Sequence, residues 1–258
     1  MFRTQLLLPL FTVLFTVLFT GWPPTGLQAQ DAKTILRTSE DRRRGIESSR
    51  SEMTMTIVRP TWSRTMSLKA WSSGDDYALI LVTDPAKDKG TATLKRGKEV
   101  WNWMPRIERT IKLPPSMMSQ SWMGSDMTNE DLVREVSIVD DYDHRMLRDS
   151  TIEGRTCWKI ELIPHEDVAV VWGKIHLWID KKDYLQLRTE FFDEDGYLVN
   201  VMQASDIRVM GGRPVAARLE VVPVEEPGHK TVLQYTSLTF DENIPESFFS
   251  VQNLQRVK

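Results

Sequence analysis

Side chains that could do chemistry are few in this chain, and they are scattered. Four histidines stand at 144, 165, 176 and 229, and no two share the spacing that brings a pair of imidazoles to one metal ion. The densest titratable cluster is "VDDYDHRM", where Asp140, Asp141, Asp143 and His144 crowd one turn. A calcium loop needs a central Gly and a terminal Glu as well, and neither is present, so the run reads as a solvated acidic turn. "ELIPHED" sets His165 beside acids in a loop, His176 alternates with Lys174 and Trp178 along a strand, and the acids of "FFDEDGY" belong to a hairpin turn. No G-x-S-x-G elbow, phosphate loop or Gly-rich nucleotide turn occurs. No catalytic residue, metal or cofactor is expected, and the chain is not expected to be an enzyme.

The one cysteine, Cys157, lies in the alternating run "RTCWKIEL" and is expected to be a small buried hydrophobe. A single thiol closes no intrachain disulfide, so the core has to supply the stability. The net charge of −3 with 27% charged residues offers no basic stripe for nucleic acid or an anionic membrane. "MFRTQLLLPLFTVLFTVLFTGWPPTGLQAQ" places Arg3 before an apolar run from Leu6 to Thr20 and then a Gly/Pro break. That is the layout of a secretory signal peptide, expected over 1–29 with cleavage after Ala29. An uncleaved anchor is the alternative, although the run is shorter than the roughly 20 residues a spanning helix needs. Residues 30–258 are expected to form one soluble, monomeric, exported domain.

The elements that must position any site are mostly strands. "DAKTILRTSEDRRRG" puts Ile35 and Leu36 among charges and predicts a short amphipathic helix ending at Gly45. Thereafter the period becomes 2. "SEMTMTIVRP", "TMSLKAW", "DYALILVTDP", "KEVWNWM", "RTCWKIELIP", "VVWGKIHLWID", "YLQLRTEFF", "YLVNVMQASDIRVM", "PVAARLEVVPV" and "KTVLQYTSLTF" predict about ten strands separated by Gly, Pro and Asp turns. The economical architecture is a mainly β fold: one strongly curled antiparallel sheet, an incomplete barrel covered by a few short helices. "YALILV" and "VVWGKIHLWI" are apolar on both faces and call for a covering layer. The N-terminal helix and residues 114–136 are the pieces expected to provide it.

"PPSMMSQSWMGSDMTNEDL", Pro114–Leu132, is the segment that stands apart. Its Pro, Ser and Gly argue against a packed helix until Thr128 and Asp131, spaced as a capping box, open one. Its Met117, Met118, Trp122, Met123 and Met127 are soft apolar side chains able to re-pack around partners of varied shape. Two readings stay open: part of the core, or a mobile apolar cover over an apolar sheet. The second describes a site for acyl chains, lined by Met53, Met55, Met66, Leu68, Leu79, Leu81, Trp101 and Trp103 from the strands. Met117, Met118, Trp122, Met123, Met127 and Leu132 would line it from the cover. In that reading Trp122 belongs to a cover whose loss costs little stability.

"GKEVWNWMPRIERTIKLP" (Gly97–Pro114) resembles the strand pair of the LolA-like periplasmic lipoprotein carriers: a Gly-Lys turn, an aromatic strand closing on Pro, then a strand of alternating polar character. "IHLWIDKKDYLQLRTEFFDEDG" (Ile175–Gly196) resembles their later strand–turn–strand segment, and "TSLTFDENIPESFFSVQNL" (Thr236–Leu254) their ending. "QSWMGSDMTNEDL" looks like the lid of the subgroup described as outer membrane lipoprotein-sorting proteins. The resemblance covers essentially all of the chain after the signal peptide. It implies an incomplete antiparallel β-barrel closed by helices, carrying lipoprotein acyl chains or lipid across the periplasm. An inner-membrane exporter and an outer-membrane acceptor are the implied partners; a lipid-sensing adaptor of an envelope membrane protein is the alternative. The carriers latch the lid with an Arg in the second strand pair. The matching place here, near Trp71–Ser72, has none, and Arg59 and Arg64 fall in the turn before that strand.

Overall fold

Alternation at period 2 is realised along fourteen strands. They are β1 (Ser48–Arg59), β2 (Trp62–Ser73), β3 (Tyr77–Asp84), β4 (Ala92–Arg96), β5 (Glu99–Met104), β6 (Arg109–Lys112) and β7 (Tyr142–Met146). Then come β8 (Ser150–Ile152), β9 (Arg155–Pro164), β10 (Lys174–Asp180), β11 (Gln186–Phe192), β12 (Leu198–Met210), β13 (Arg213–Pro223) and β14 (Lys230–Phe240). The computed structural model describes residues 31–44, 48–74, 76–129, 131, 137–166, 168, 170 and 172–257. The expected signal peptide, the helix stop at Gly45 and Leu132 lie outside the described residues, as does the helix body expected after Thr128 apart from Asn129 and Asp131. No helix among the described residues is long and apolar enough to cross a membrane.

All strands join one antiparallel sheet in the order β6-β5-β4-β3-β2-β1-β14-β13-β12-β11-β10-β9-β7, with β8 paired to β9. The chain thus makes two meanders, stitched together where β1 meets β14, with Met55 opposite Leu233. The edge strands β6 and β7 do not meet, so the barrel stays incomplete. Register shifts at Glu52/Met53, Ser67/Leu68, Trp178/Ile179 and Phe191/Phe192 are bulges that bend strands and strengthen their twist, which curls the sheet. The β12–β13 hairpin turns on Gly211 and Gly212, both at positive φ, as a two-residue turn demands. A Cβ on Gly211 would also lie 2.6 Å from the Phe240 ring.

The expected count of about ten strands is corrected to fourteen among the described residues. Strands β4, β7 and β8 are too short to display alternation, and β6 was visible only through the resemblance. The helix α1 (Ala32–Arg44) forms where expected, its first turn capped by Asp31, whose carboxylate accepts the Thr34 amide at 2.6 Å. That bond holds the Asp31 carboxyl below its ordinary pKa. Ile35 and Leu36 are fully buried against Ile160, Leu162, Ile175, Leu177 and Ile179. The acidic turn tethers the helix: Lys33 and Arg37 reach Asp140 at 2.8 and 3.5 Å.

Cross-strand registers define one continuous face. It runs from Met66 through Met55, Leu233 and Leu219 to Ala204, and from Met202 through Thr189 and Leu177 to Ile160. The helix α1 covers its β9–β10 end, and residues 113–129 cover its β1–β3 end. The opposite face has a cover that sequence reading did not supply. The C-terminal residues Ile244, Phe248, Phe249, Val251, Leu254 and Val257 pack on Trp71, Leu79, Leu81, Ala92, Leu94, Trp101 and Trp103. Phe249 is wholly buried and stacks on Tyr77 at 5.6 Å. Phe249→Ala is expected to cost about 3–5 kcal/mol in urea unfolding. A loss below about 1 kcal/mol, the scale of surface changes, would show that the tail does not complete the core.

Candidate functional site: a lid and its latch

The segment between β6 and β7 begins with Pro114 and Pro115, whose missing amides and fixed φ end strand pairing. It then folds on itself. The Trp122 amide donates to the Met127 carbonyl at 2.7 Å, the Ser125 hydroxyl to the Trp122 carbonyl at 2.7 Å, and Ser121 forms an isolated bridge with Thr128. The Asn129 side-chain amide donates to the carbonyls of Met117 and Gln120 at 2.9 and 3.2 Å. The expected capping box is formed: the Thr128 amide donates to Asp131 Oδ2 at 2.7 Å, and the Asp131 amide to Thr128 Oγ1 at 3.1 Å.

This small loop drives Trp122 onto the sheet. The indole, 3% exposed, lies among Met55, Ile57, Met66, Leu68, Val82 and Leu233, with Met53, Ile80, Met123, Met127 and Leu219 packed around them. Its Nε1–H donates to Thr93 Oγ1 at 3.3 Å. Trp122 is therefore built into the core of this end of the sheet, which corrects the expectation of a cover whose removal costs little. Depressions of about 330 Å3 and 210 Å3 open elsewhere, along the C-terminal segment and between α1 and residues 137–140.

Side chains, with no β-ladder, tie the lid to the rim. Met55, Ile57 and Arg59 share one face of β1, and Arg64 of β2 lies opposite Ile57, so both guanidiniums rise beside the lid. Arg59 Nη1 donates to Asp126 Oδ2 at 3.1 Å, and Nη2 pairs with Oδ1 at 3.0 Å. Arg59 also donates to the Gly124 carbonyl at 3.1 Å, and Arg64 to the Met123 carbonyl at 2.6 Å. The Asp126 amide donates to Thr231 Oγ1 at 2.9 Å, and that hydroxyl donates back to Asp126 Oδ2 at 2.7 Å. The Arg59 and Asp126 side chains are 13% and 6% exposed. The guanidinium contacts to the segment thus come from Arg59 and Arg64, not from near Trp71–Ser72. Both belong to strands, where the sequence had suggested a turn.

The sheet divides the expected lining. Met53, Met55, Met66, Leu68, Trp122, Met123 and Met127 form one cluster, and Met117 and Met118 pack beside it on Val100 and Leu113. Leu79, Leu81, Trp101 and Trp103 are on the opposite face under the C-terminal tail, so they cannot share a ligand with Met66 and Leu68. Alternation forces this: within β3, Ile80 and Val82 go to the lid and Leu79 and Leu81 to the tail. Ile57, Ile80, Val82, Leu219 and Leu233 belong to the same cluster and were missed by the sequence reading. Ile57 continues the Met53–Met55 alternation and was legible, whereas Leu219 and Leu233 join only through register.

The isolated titratable groups make ordinary contacts. His144 Nε2 lies 2.8 Å from the Ile138 carbonyl, and His165 is 3.5 Å from Asp143. His176 is 13% exposed and held between Glu161 at 3.1 Å and Glu190 at 3.7 Å. Cys157 is fully buried, and burial pushes its thiol up to about 11, which removes thiolate chemistry near neutral pH.

A family model described as an uncharacterized protein matches residues 74–256. No curated protein matches the chain. Among solved structures, a DUF1329 family protein from Desulfovibrio piger is 25% identical with a TM-score of 0.77, covering 86% of this chain and 97% of that one. An outer membrane lipoprotein-sorting protein domain from Vibrio parahaemolyticus, so described provisionally, is 24% identical with a TM-score of 0.76, covering 87% and 98%. A LolA superfamily protein from Nitrosomonas europaea is 22% identical with a TM-score of 0.72, covering 87% and 100%. The curled, incomplete barrel is common to all three.

Proposed function

We propose that this chain, which belongs to the family matched over residues 74–256 and shares its fold with LolA-like outer membrane lipoprotein-sorting proteins, is a periplasmic carrier of acyl chains. The acyl chains of a lipoprotein or lipid displace Trp122 from Met55, Met66 and Leu68, and the lid then closes over them. Donor and acceptor are an inner-membrane exporter and a site at the outer membrane. The observation that carries this reading is the contrast within the lid: an apolar plug on an apolar face, joined to the sheet by side chains that water can replace.

The energies permit the exchange. A buried methylene contributes about 0.8 kcal/mol, and a buried Trp roughly 3–5 kcal/mol. About four to six methylenes match the indole, so an acyl chain of ordinary length exceeds it. Carriage needs no bond made or broken, in keeping with a site of methionines, an indole and a salt bridge.

The experiment is mass spectrometry of organic extracts from the protein purified out of the periplasm, followed by titration with a fluorescent fatty acid. Co-purifying acyl chains and saturable, stoichiometric probe binding are expected. A protein that yields no acyl chains and binds no probe at micromolar concentration overturns the proposal.

A further inference from the structure

We propose that Asp126, Glu226 and His229 form a divalent-cation site, suited to Zn2+, that clasps the lid to the rim of the sheet. The three residues offer ligand atoms that all lie within 4.8 Å of one another. Asp126 belongs to the lid; the other two belong to the β13–β14 turn. A cation held by both sides has to lose ligands whenever the lid opens.

The turn is built to present its pair. In Glu226-Pro227-Gly228-His229 the His229 amide donates to the Glu226 carbonyl at 3.0 Å. Pro stands second, and Gly228 third at φ +81°, the arrangement of a type II turn. The first and fourth side chains therefore emerge together, and the Glu226 carboxylate rests against His229 Nδ1. That nitrogen is buried and, despite the contact, makes no hydrogen bond of acceptable geometry, so the two groups are not locked as a hydrogen-bonded pair and a cation can come between them. Gly228 lies against Pro60, where a Cβ would come 3.4 Å from the proline Cγ. The turn is thereby set beside the end of β1, next to the residue that holds Asp126.

The donor set and charge agree. Two carboxylate oxygens and one imidazole nitrogen suit Zn2+, with water as a fourth ligand. Asp126 and Glu226 bring two negative charges, and Arg59 returns one positive, so a dication meets a net negative site. Arg59 need not leave: Asp126 Oδ1 is engaged only by Arg59 Nη2 among the described contacts, and a carboxylate oxygen carries two lone pairs.

Titration of the metal-stripped protein with zinc chloride, read by calorimetry and by amide exchange without any acyl ligand, tests the clasp independently of acyl binding. One equivalent of Zn2+ is expected to bind, and at a hundred times its Kd to slow exchange over residues 120–129 by about a hundredfold. His229→Ala and Glu226→Gln, each checked for a native circular-dichroism spectrum, are expected to lose both effects. The proposal is overturned if no stoichiometric binding occurs or if it persists in both variants. It is equally overturned if zinc binds without slowing the lid, for the cation then sits where the lid does not reach.

Discussion

Arg59→Ala is expected to speed amide exchange across residues 120–129 by about a hundredfold or more, with exchange along β10 unchanged. Asp126 is 6% exposed, and its charge is met by a guanidinium that is itself 13% exposed. Removing one partner of a buried pair leaves the other charge stranded, at a cost of about 3–5 kcal/mol, and each 1.4 kcal/mol is a factor of ten in an equilibrium. The same substitution removes the donor to the Gly124 carbonyl. Thr231 stays hydrogen-bonded to Asp126 but brings no charge. The loss falls on the lid because Asp126 is relieved as soon as the loop lifts into water, well before any strand separates. Hydrogen exchange with mass-spectrometric readout measures this directly. A lid that exchanges no faster in Arg59→Ala would show that the Arg59–Asp126 pair is not what keeps it closed.

Trp122→Ala is expected to tighten binding of a fluorescent fatty acid, by up to about a hundredfold, while lowering the melting temperature by a few degrees. In the closed lid the indole fills the place the ligand needs, so closure and binding compete. The apparent Kd equals the intrinsic Kd divided by the fraction of protein with the lid open. Removing a buried Trp takes about 3–5 kcal/mol from the closed state. Binding gains by that factor until the open form predominates. Some affinity returns to solvent, because the variant has no indole to cover the bound chain. Weaker probe binding with the fold intact would mean that Trp122 grips the ligand and does not stand in for it. Global unfolding of the variant would mean that Trp122 holds the whole fold together and has no carrier role.

Much of the architecture was legible because strand alternation is a local property. Met53, Met55 and Ile57 alternate with threonines whatever lies above them, and Ile35 and Leu36 mark a buried helix stripe before the helix has anything to bury against. The lid was legible for the same reason, since Pro114, Pro115 and Gly124 exclude a regular element wherever they occur. The latch was hidden by a boundary. Arg59 was assigned to the turn before β2, but β1 continues through Arg59, whose side chain falls on the face of Ile57.

Sequence by itself determined that this protein is an antiparallel, curled sheet with one apolar, proline-broken segment free to cover it, because hydrophobic period and turn chemistry act within a few residues. Only the tertiary structure decided which apolar residues share a face. Alternation creates two faces without saying what covers either, and here the C-terminal Phe249 claims the face of Leu79 and Trp101 while Trp122 claims that of Met55 and Met66. It likewise decided the polar contacts. Arg59, Asp126 and the Glu226–His229 turn lie far apart along the chain; the register of β1 against β14 brings Arg59 beside that turn, and the folding of the lid onto the sheet brings Asp126 to the same rim. Charges recognise one another through space, and space is what a one-dimensional reading lacks.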